Sequence, residues 1–188
     1  MKDRKRLMNR FSSILVPVVL LAALLAIAQD DIPGRKAPSV VMSPVPTTRV
    51  TRGKSSTVDL SFRVGSGFHI NSNTPKSEFL IPTSLKLEAP TDIVVGVKYP
   101  NGEDRSFPFS PDEKLNVYTG DFTLAVSVRP LASVLPGKYV LRGNLKYQAC
   151  DNAACYPPKQ LPVQFEVKVV KAPPPPRKNP GQSPHIHT

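Results

Sequence analysis

An all-β sandwich is the fold this sequence predicts, on three observations. Short runs of alternating apolar and polar residues recur from Thr57 to Val169, bounded by Gly, Pro, Asn or Asp. No ten-residue window beyond residue 28 carries a capped apolar stripe at helical spacing. The patterned stretch, about 125 residues, is one domain's worth and suffices for a two-sheet core.

Taken in order, residues 29–47 hold Pro33, Pro38, Pro44 and Pro46 with little periodicity and read as an extended lead-in, so the folded domain is expected over 48–170. Thr57 to Val64 alternates through Val58, Leu60, Phe62 and Val64. Ser84 to Leu87 offers Leu85 and Leu87, and Asp92 to Tyr99 offers Ile93, Val95, Val97 and Tyr99, with Val94 breaking the pattern. Phe122, Leu124, Val126 and Val128 mark the next strand; Tyr139, Leu141, Gly143, Leu145 and Tyr147 the one after; Val163, Phe165, Val167 and Val169 the last. Residues 171–188 open with Pro173-Pro174-Pro175-Pro176, which suits polyproline II and no packed core, so this tail is expected to be disordered. His185 and His187 within it read as incidental.

The amino terminus places the domain. Lys2, Arg4, Lys5, Arg6 and Arg10 precede the apolar run Ile14–Ala28, which ends in Ala26-Ile27-Ala28. That is the pattern of a secretory signal peptide cleaved after residue 28. The run is 15 residues long and interrupted by Pro17, short of the roughly 20 that a spanning helix needs, so no stable membrane insertion is expected after cleavage. An exported, periplasmic-type location is oxidising, where a dithiol closes unless something reduces it. The formal charge of +11 falls to +7 once residues 1–28, with five bases and one acid, are set aside. No stretch interleaves bases with aromatics, so no nucleic-acid partner is expected.

The only two cysteines are Cys150 and Cys155, separated by Asp151-Asn152-Ala153-Ala154. Joining them would close a loop of six residues and contribute about 2 kcal/mol, low for a structural bridge. Spacing this tight suits a dithiol that opens and closes, leaving a passive staple and metal binding as alternatives. Pro157-Pro158 stiffens the chain leaving Cys155. Asp151 is expected to disfavour a thiolate at Cys150, while Lys146 and Lys159 act the other way. No Ser-His-Asp order, paired carboxylates or phosphate loop stands out, and the exchange chemistry calls for no cofactor.

The segment Tyr147-Gln148-Ala149-Cys150, then Cys155-Tyr156-Pro157-Pro158, resembles the amino-terminal periplasmic domain of the thiol:disulfide interchange protein DsbD. Gly67-Phe68-His69-Ile70-Asn71-Ser72-Asn73 with Leu80-Ile81-Pro82-Thr83, and Lys98-Tyr99-Pro100 leading through Phe107-Pro108-Phe109 to Val117-Tyr118, fall where that family has matching segments. The resemblance implies an immunoglobulin-like two-sheet antiparallel sandwich that takes reducing equivalents from a thioredoxin-like donor and passes them to thiol-disulfide acceptors. It makes Cys155 the exchanging thiol and Cys150 the resolving one. It also implies an aromatic cap, for which Phe109 and Phe107 are the nearest matches, with His69, Asn71, Tyr147 and Tyr156 around the pair. Enteric members space their cysteines by five residues against four here, and carry tyrosines where this chain has His69 and Asn71. A protonated histidine beside a thiol would lower its pKa, but His69 is expected to be an ordinary surface strand residue. The 188 residues hold neither membrane helices nor a thioredoxin-like domain, so a separate electron donor is expected.

Two readings of other classes stand beside exchange. One is an immunoglobulin-type interaction domain with a local structural disulfide. The other is a soft-metal carrier using Cys150, Cys155 and His69 or Met42, at a spacing unlike the usual copper and zinc ones.

Overall fold

A strand with one apolar face is stable only where a second layer covers that face. The computed structural model describes residues 39–174, and in them two sheets meet this need. The strands in chain order are β1 (Val40–Met42), β2 (Thr48–Thr51), β3 (Ser56–Val64), β4 (His69–Asn71), β5 (Ser84–Glu88), β6 (Ile93–Lys98), β7 (Glu103–Phe107), β8 (Ser110–Tyr118), β9 (Asp121–Pro130), β10 (Gly137–Tyr147), β11 (Ala149–Cys150) and β12 (Lys159–Val170). One sheet runs β1-β3-β9-β6 and the other β2-β12-β10-β5, while a smaller sheet runs β11-β4-β8-β7. Pairing is antiparallel throughout except between β2 and β12. The fold is an immunoglobulin-like β-sandwich.

The alternating positions supply the core. Val58, Leu60, Phe62 and Val64 of β3 are buried with Phe122, Leu124, Val126 and Val128 of β9, and from the other sheet Leu141, Leu145 and Tyr147 of β10 meet Val163, Phe165, Val167 and Val169 of β12. Phe62 and Phe122 face each other across β3 and β9 with their rings stacked at 5.3 Å. Val94, which breaks the alternation of β6, is 45% exposed and so belongs to the outer face. Gly143 sits opposite Leu87, and a Cβ there would run into the Lys86 carbonyl. It is glycine because β5 and β10 approach closely at that point.

The structure extends the expected organisation in two places. The stretch read as an extended lead-in holds β1, which pairs with β3 from Val40–Val64 to Met42–Phe62 and buries Val40. The folded unit therefore begins before Thr48. The second addition is the β7–β8 hairpin, whose strands carry no usable alternation because Glu103–Ser106 and Pro111–Lys114 are exposed on both faces. Residues 1–28, expected to be a signal peptide, the first part of the lead-in and His185 and His187 of the tail lie outside the described residues.

Candidate functional site

The cysteines sit at the far end of the longest hairpin. β10 and β12 pair from Gly137–Val169 to Tyr147–Lys159, and residues 148–158 between them turn away to join the small sheet. There Ala149 and Cys150 pair with Ile70 and His69 of β4. Cys155 returns opposite Cys150, and the two form a disulfide with Cα atoms 3.9 Å apart. Backbone hydrogen bonds close both sides of the pair: the Asp151 amide donates to the Ala154 carbonyl at 3.0 Å, and the Tyr156 amide to the Ala149 carbonyl at 2.8 Å.

Asp151 shapes this turn. One carboxylate oxygen accepts the amides of Ala153 and Ala154 at 2.8 and 2.9 Å, and the other accepts the Tyr156 hydroxyl at 2.6 Å. This is the side-chain-to-backbone capture that makes Asp a turn former. The Tyr156 ring also stands edge-on to Phe68 at 5.9 Å, so the residue after Cys155 is held from three directions. The third is Gln148, whose amide group donates to the Tyr156 carbonyl at 3.3 Å. Gln148 Oε1 in turn accepts from Asn71 Nδ2 at 3.1 Å and from the Ile81 amide at 3.3 Å. Sequence reasoning gave Gln148 no role, since a glutamine beside a cysteine carries no signal of its own.

Exposure separates the two sulfurs. Cys150 is 0% exposed, whereas Cys155 is half-buried at the rim. Tyr147 is buried in the sandwich core behind them, and Tyr156 is half-buried.

His69 departs from its expected place on the surface. It is 3% exposed, directly opposite Cys150, and stacked on Phe107 with ring centroids 3.8 Å apart. The burial has two causes in the fold. β4 lies between β11 and β8, and the β7–β8 turn Pro108–Phe109 brings Phe107 over its face. Phe109 continues the stack, 5.6 Å from Phe107 and 6.3 Å from His69. Of the two cap candidates Phe107 is thus the inner ring, packed with Leu115 and Val117, and Phe109 the outer, half-buried one. Burial pulls the His69 imidazolium down to about 4, with Asp151 opposing and Arg105 reinforcing the shift. The ring is neutral near pH 7 and supplies no positive charge to a thiolate.

Asn71 is fully buried on the same strand; beyond Gln148 its side-chain amide donates to the Ile81 carbonyl at 3.1 Å, and its backbone carbonyl accepts the Thr83 hydroxyl at 2.5 Å. It fastens the loop after β4 to the cysteine hairpin. A solvent-open groove of about 330 Å³ runs beside the disulfide turn, with Ser66, Phe68, His69, Arg105, Phe107 and Asn152 in its walls.

Comparison with protein families matches residues 41–167 to the family described as thiol:disulfide interchange protein DsbD, N-terminal. The chain belongs to this family. The match takes in both sheets of the sandwich and the cysteine hairpin, so the Cys150–Cys155 pair is the dithiol–disulfide couple of a DsbD amino-terminal-type exchange domain. Among solved structures, the reduced DsbD n-terminal domain of Neisseria meningitidis is similar at 19% identity and a TM-score of 0.40, over 62% of this chain and 82% of that one. The N-terminal periplasmic domain of ScsB from Proteus mirabilis is similar at 12% identity and a TM-score of 0.48, over 73% of this chain and 49% of that one. No curated protein matches. DsbD amino-terminal domains are periplasmic, and the family implies thiol-disulfide redox partners.

Proposed function

We propose that this domain relays two electrons between thioredoxin-like proteins in the exported compartment, with Cys155 as the exchanging thiol and Cys150 as the resolving one. In the reduced domain the Cys155 thiolate attacks one sulfur of the acceptor's disulfide, and the acceptor's other sulfur leaves as a thiolate. The Cys150 sulfur, having lost its proton, then attacks Cys155 Sγ. The mixed disulfide breaks, the acceptor departs as a dithiol, and the domain is left with its own disulfide. A thioredoxin-like donor resets it by the same steps in reverse.

The observation that supports this order is the contrast in exposure between the half-buried Cys155 and the fully buried Cys150. An incoming disulfide can be met in line only by the sulfur at the rim. The clamp on Tyr156 from Asp151, Gln148 and Phe68 supports it too, since it fixes the backbone that leaves Cys155. Phe107 and Phe109 serve in this reading as the shield, with Tyr147 as its floor. Residues 1–28 act as a cleaved export signal, giving a mature chain that starts at or near Gln29.

Trapping tests the assignment. Cys150→Ala should accumulate a mixed disulfide with a thioredoxin-fold protein, because nothing local resolves it, and Cys155→Ala should trap little. The opposite pattern reverses the roles of the two cysteines. If neither variant traps such a protein, the exchange reading gives way to an interaction domain with a structural bridge.

A further inference from the structure

His69, Cys150 and Cys155 occupy one cross-strand row. His69 is the register partner of Cys150 across β4 and β11, and Cys150 is the partner of Cys155 across the hairpin. Directly opposed residues of antiparallel strands send their side chains to the same face, with Cβ atoms about 4.5–5.5 Å apart. His69 is 3% exposed, its Nε2 is buried, and in the disulfide form that atom has no hydrogen-bond partner among the described residues. Buried polar atoms are paired in the great majority of cases, and leaving one unpaired is unfavourable.

We propose that His69 Nε2 takes the Cys150 sulfur as its hydrogen-bond partner once the disulfide opens, making His69 a positioning residue that holds the resolving thiol and favours the reduced couple. A disulfide sulfur carries no hydrogen to donate. Reduction by two glutathione molecules gives glutathione disulfide and two thiols, and the new Cys150 S–H can donate to the lone pair of Nε2 in the tautomer protonated at Nδ1. The same row of three residues lets this happen through rotation of the freed cysteine side chain, with the His69 ring kept in place by Phe107. Burial keeps the ring neutral above about pH 4, against the pull of Asp151 and with the help of Arg105, so the lone pair is available at neutral pH. The cost of the unpaired atom then falls on the oxidised state alone, which shifts the equilibrium toward the dithiol.

The inference rests on the exchange reading for its purpose, but its test uses no protein partner, so trapping can fail while this succeeds, or the reverse. The mature chain is equilibrated in glutathione buffers and the reduced fraction read by thiol alkylation. His69→Phe keeps a ring on Phe107 and removes the nitrogen. It should move the equilibrium about tenfold toward the disulfide, which for this two-electron couple is a potential about 30 mV more negative. His69→Gln, which restores a polar group, should lie within about threefold of the wild type. In the wild type the nitrogen-15 resonance of His69 Nε2 should shift on reduction, and in Cys150→Ala the same reductant should leave it unmoved. An equilibrium unchanged in a folded His69→Phe, or an Nε2 resonance identical in the two redox states, overturns the proposal. If His69→Phe does not fold, the wild-type resonance decides alone.

Discussion

The sandwich and the small sheet that carries the cysteines are built on opposite rules. Between the large sheets the interior is aliphatic and aromatic side chains from strands of nine to twelve residues, such as β3, β9, β10 and β12. In the small sheet β4 has three residues and β11 two, and the buried polar residues His69, Asn71 and Ser72 all lie on β4 or immediately after it. The fourth, Thr83, is bonded to that segment through the Asn71 and Ser72 carbonyls. Among the described residues, the two buried side-chain atoms without a hydrogen-bond partner, His69 Nε2 and Asn71 Oδ1, also belong to β4. A polar interior is costly wherever it occurs, and among the described residues it gathers beside the Cys150–Cys155 disulfide. The small sheet still joins the common core, through Ile70, Tyr118 and Ala149, but its polar residues gather on the strand that faces the cysteines.

The largest expected effect lies in the sandwich. Phe62→Ala removes a fully buried ring and its stack on Phe122, and should cost about 3–5 kcal/mol in denaturant unfolding, while leaving the reduction potential unchanged where the variant is folded. A shifted potential would mean that the two layers are coupled. Next comes Gln148→Ala, which deprives Asn71, Ile81 and Tyr156 of a shared partner. A loss of about 1–3 kcal/mol is expected, together with faster reduction of the disulfide by dithiothreitol, and a loss of stability with an unaltered reduction rate would remove Gln148 from the site. Reduction itself should cost about 2 kcal/mol or less, with the circular dichroism spectrum kept. Global unfolding on reduction would make the bridge a staple of the whole domain.

The last effect should appear with pH. His69 is neutral in the fold with its pKa lowered from 6.5 to about 4, so between those values the unfolded chain binds more protons than the native one. Stability is then fully present above about pH 6.5 and declines as pH falls toward 4, by about 2 kcal/mol at pH 5. His69→Phe should flatten that part of the profile. The carboxylates of Asp104, Asp121 and Glu166, each lowered by hydrogen bonds to side chains, act in the same direction but below their ordinary range near 4. A His69→Phe profile that still slopes between pH 6.5 and 5 would place the titrating group elsewhere.

The same contrast decides what could be read from the sequence. β3, β9, β10 and β12 were legible because one face of each is buried along its length, which forces an apolar residue at every second position. The cysteine pair was legible as chemistry through its spacing and neighbours. β4, β7, β8 and β11 were not legible as strands: two are too short to show a period, and the outer parts of β7 and β8 face solvent on both sides. His69 was misplaced for a related reason, since its burial comes from Phe107, which is distant in sequence and arrives on a hairpin without alternation. Asp151 was read as a charge beside a thiol. The fold instead uses it as a hydrogen-bond acceptor for the turn, a role that depends on backbone geometry and leaves no mark in composition.

The parallel pairing of β2 with β12 has a consequence for the order of events during synthesis. Thr48 lies opposite Val167, and the neighbouring Thr47 hydroxyl donates to Glu166 at 2.9 Å across a separation of 119 residues. A chain that emerges amino terminus first cannot complete this sheet until its final strand is free, and contacts of such long range form slowly. The cysteine hairpin has no such wait, because loops of about ten residues close in roughly 10–100 ns. Cys150 and Cys155 meet repeatedly on a chain whose β2 and β12 have yet to find each other. Given an oxidant, the bridge is expected to form before the domain is native, and folding then proceeds around a hairpin that is already tied.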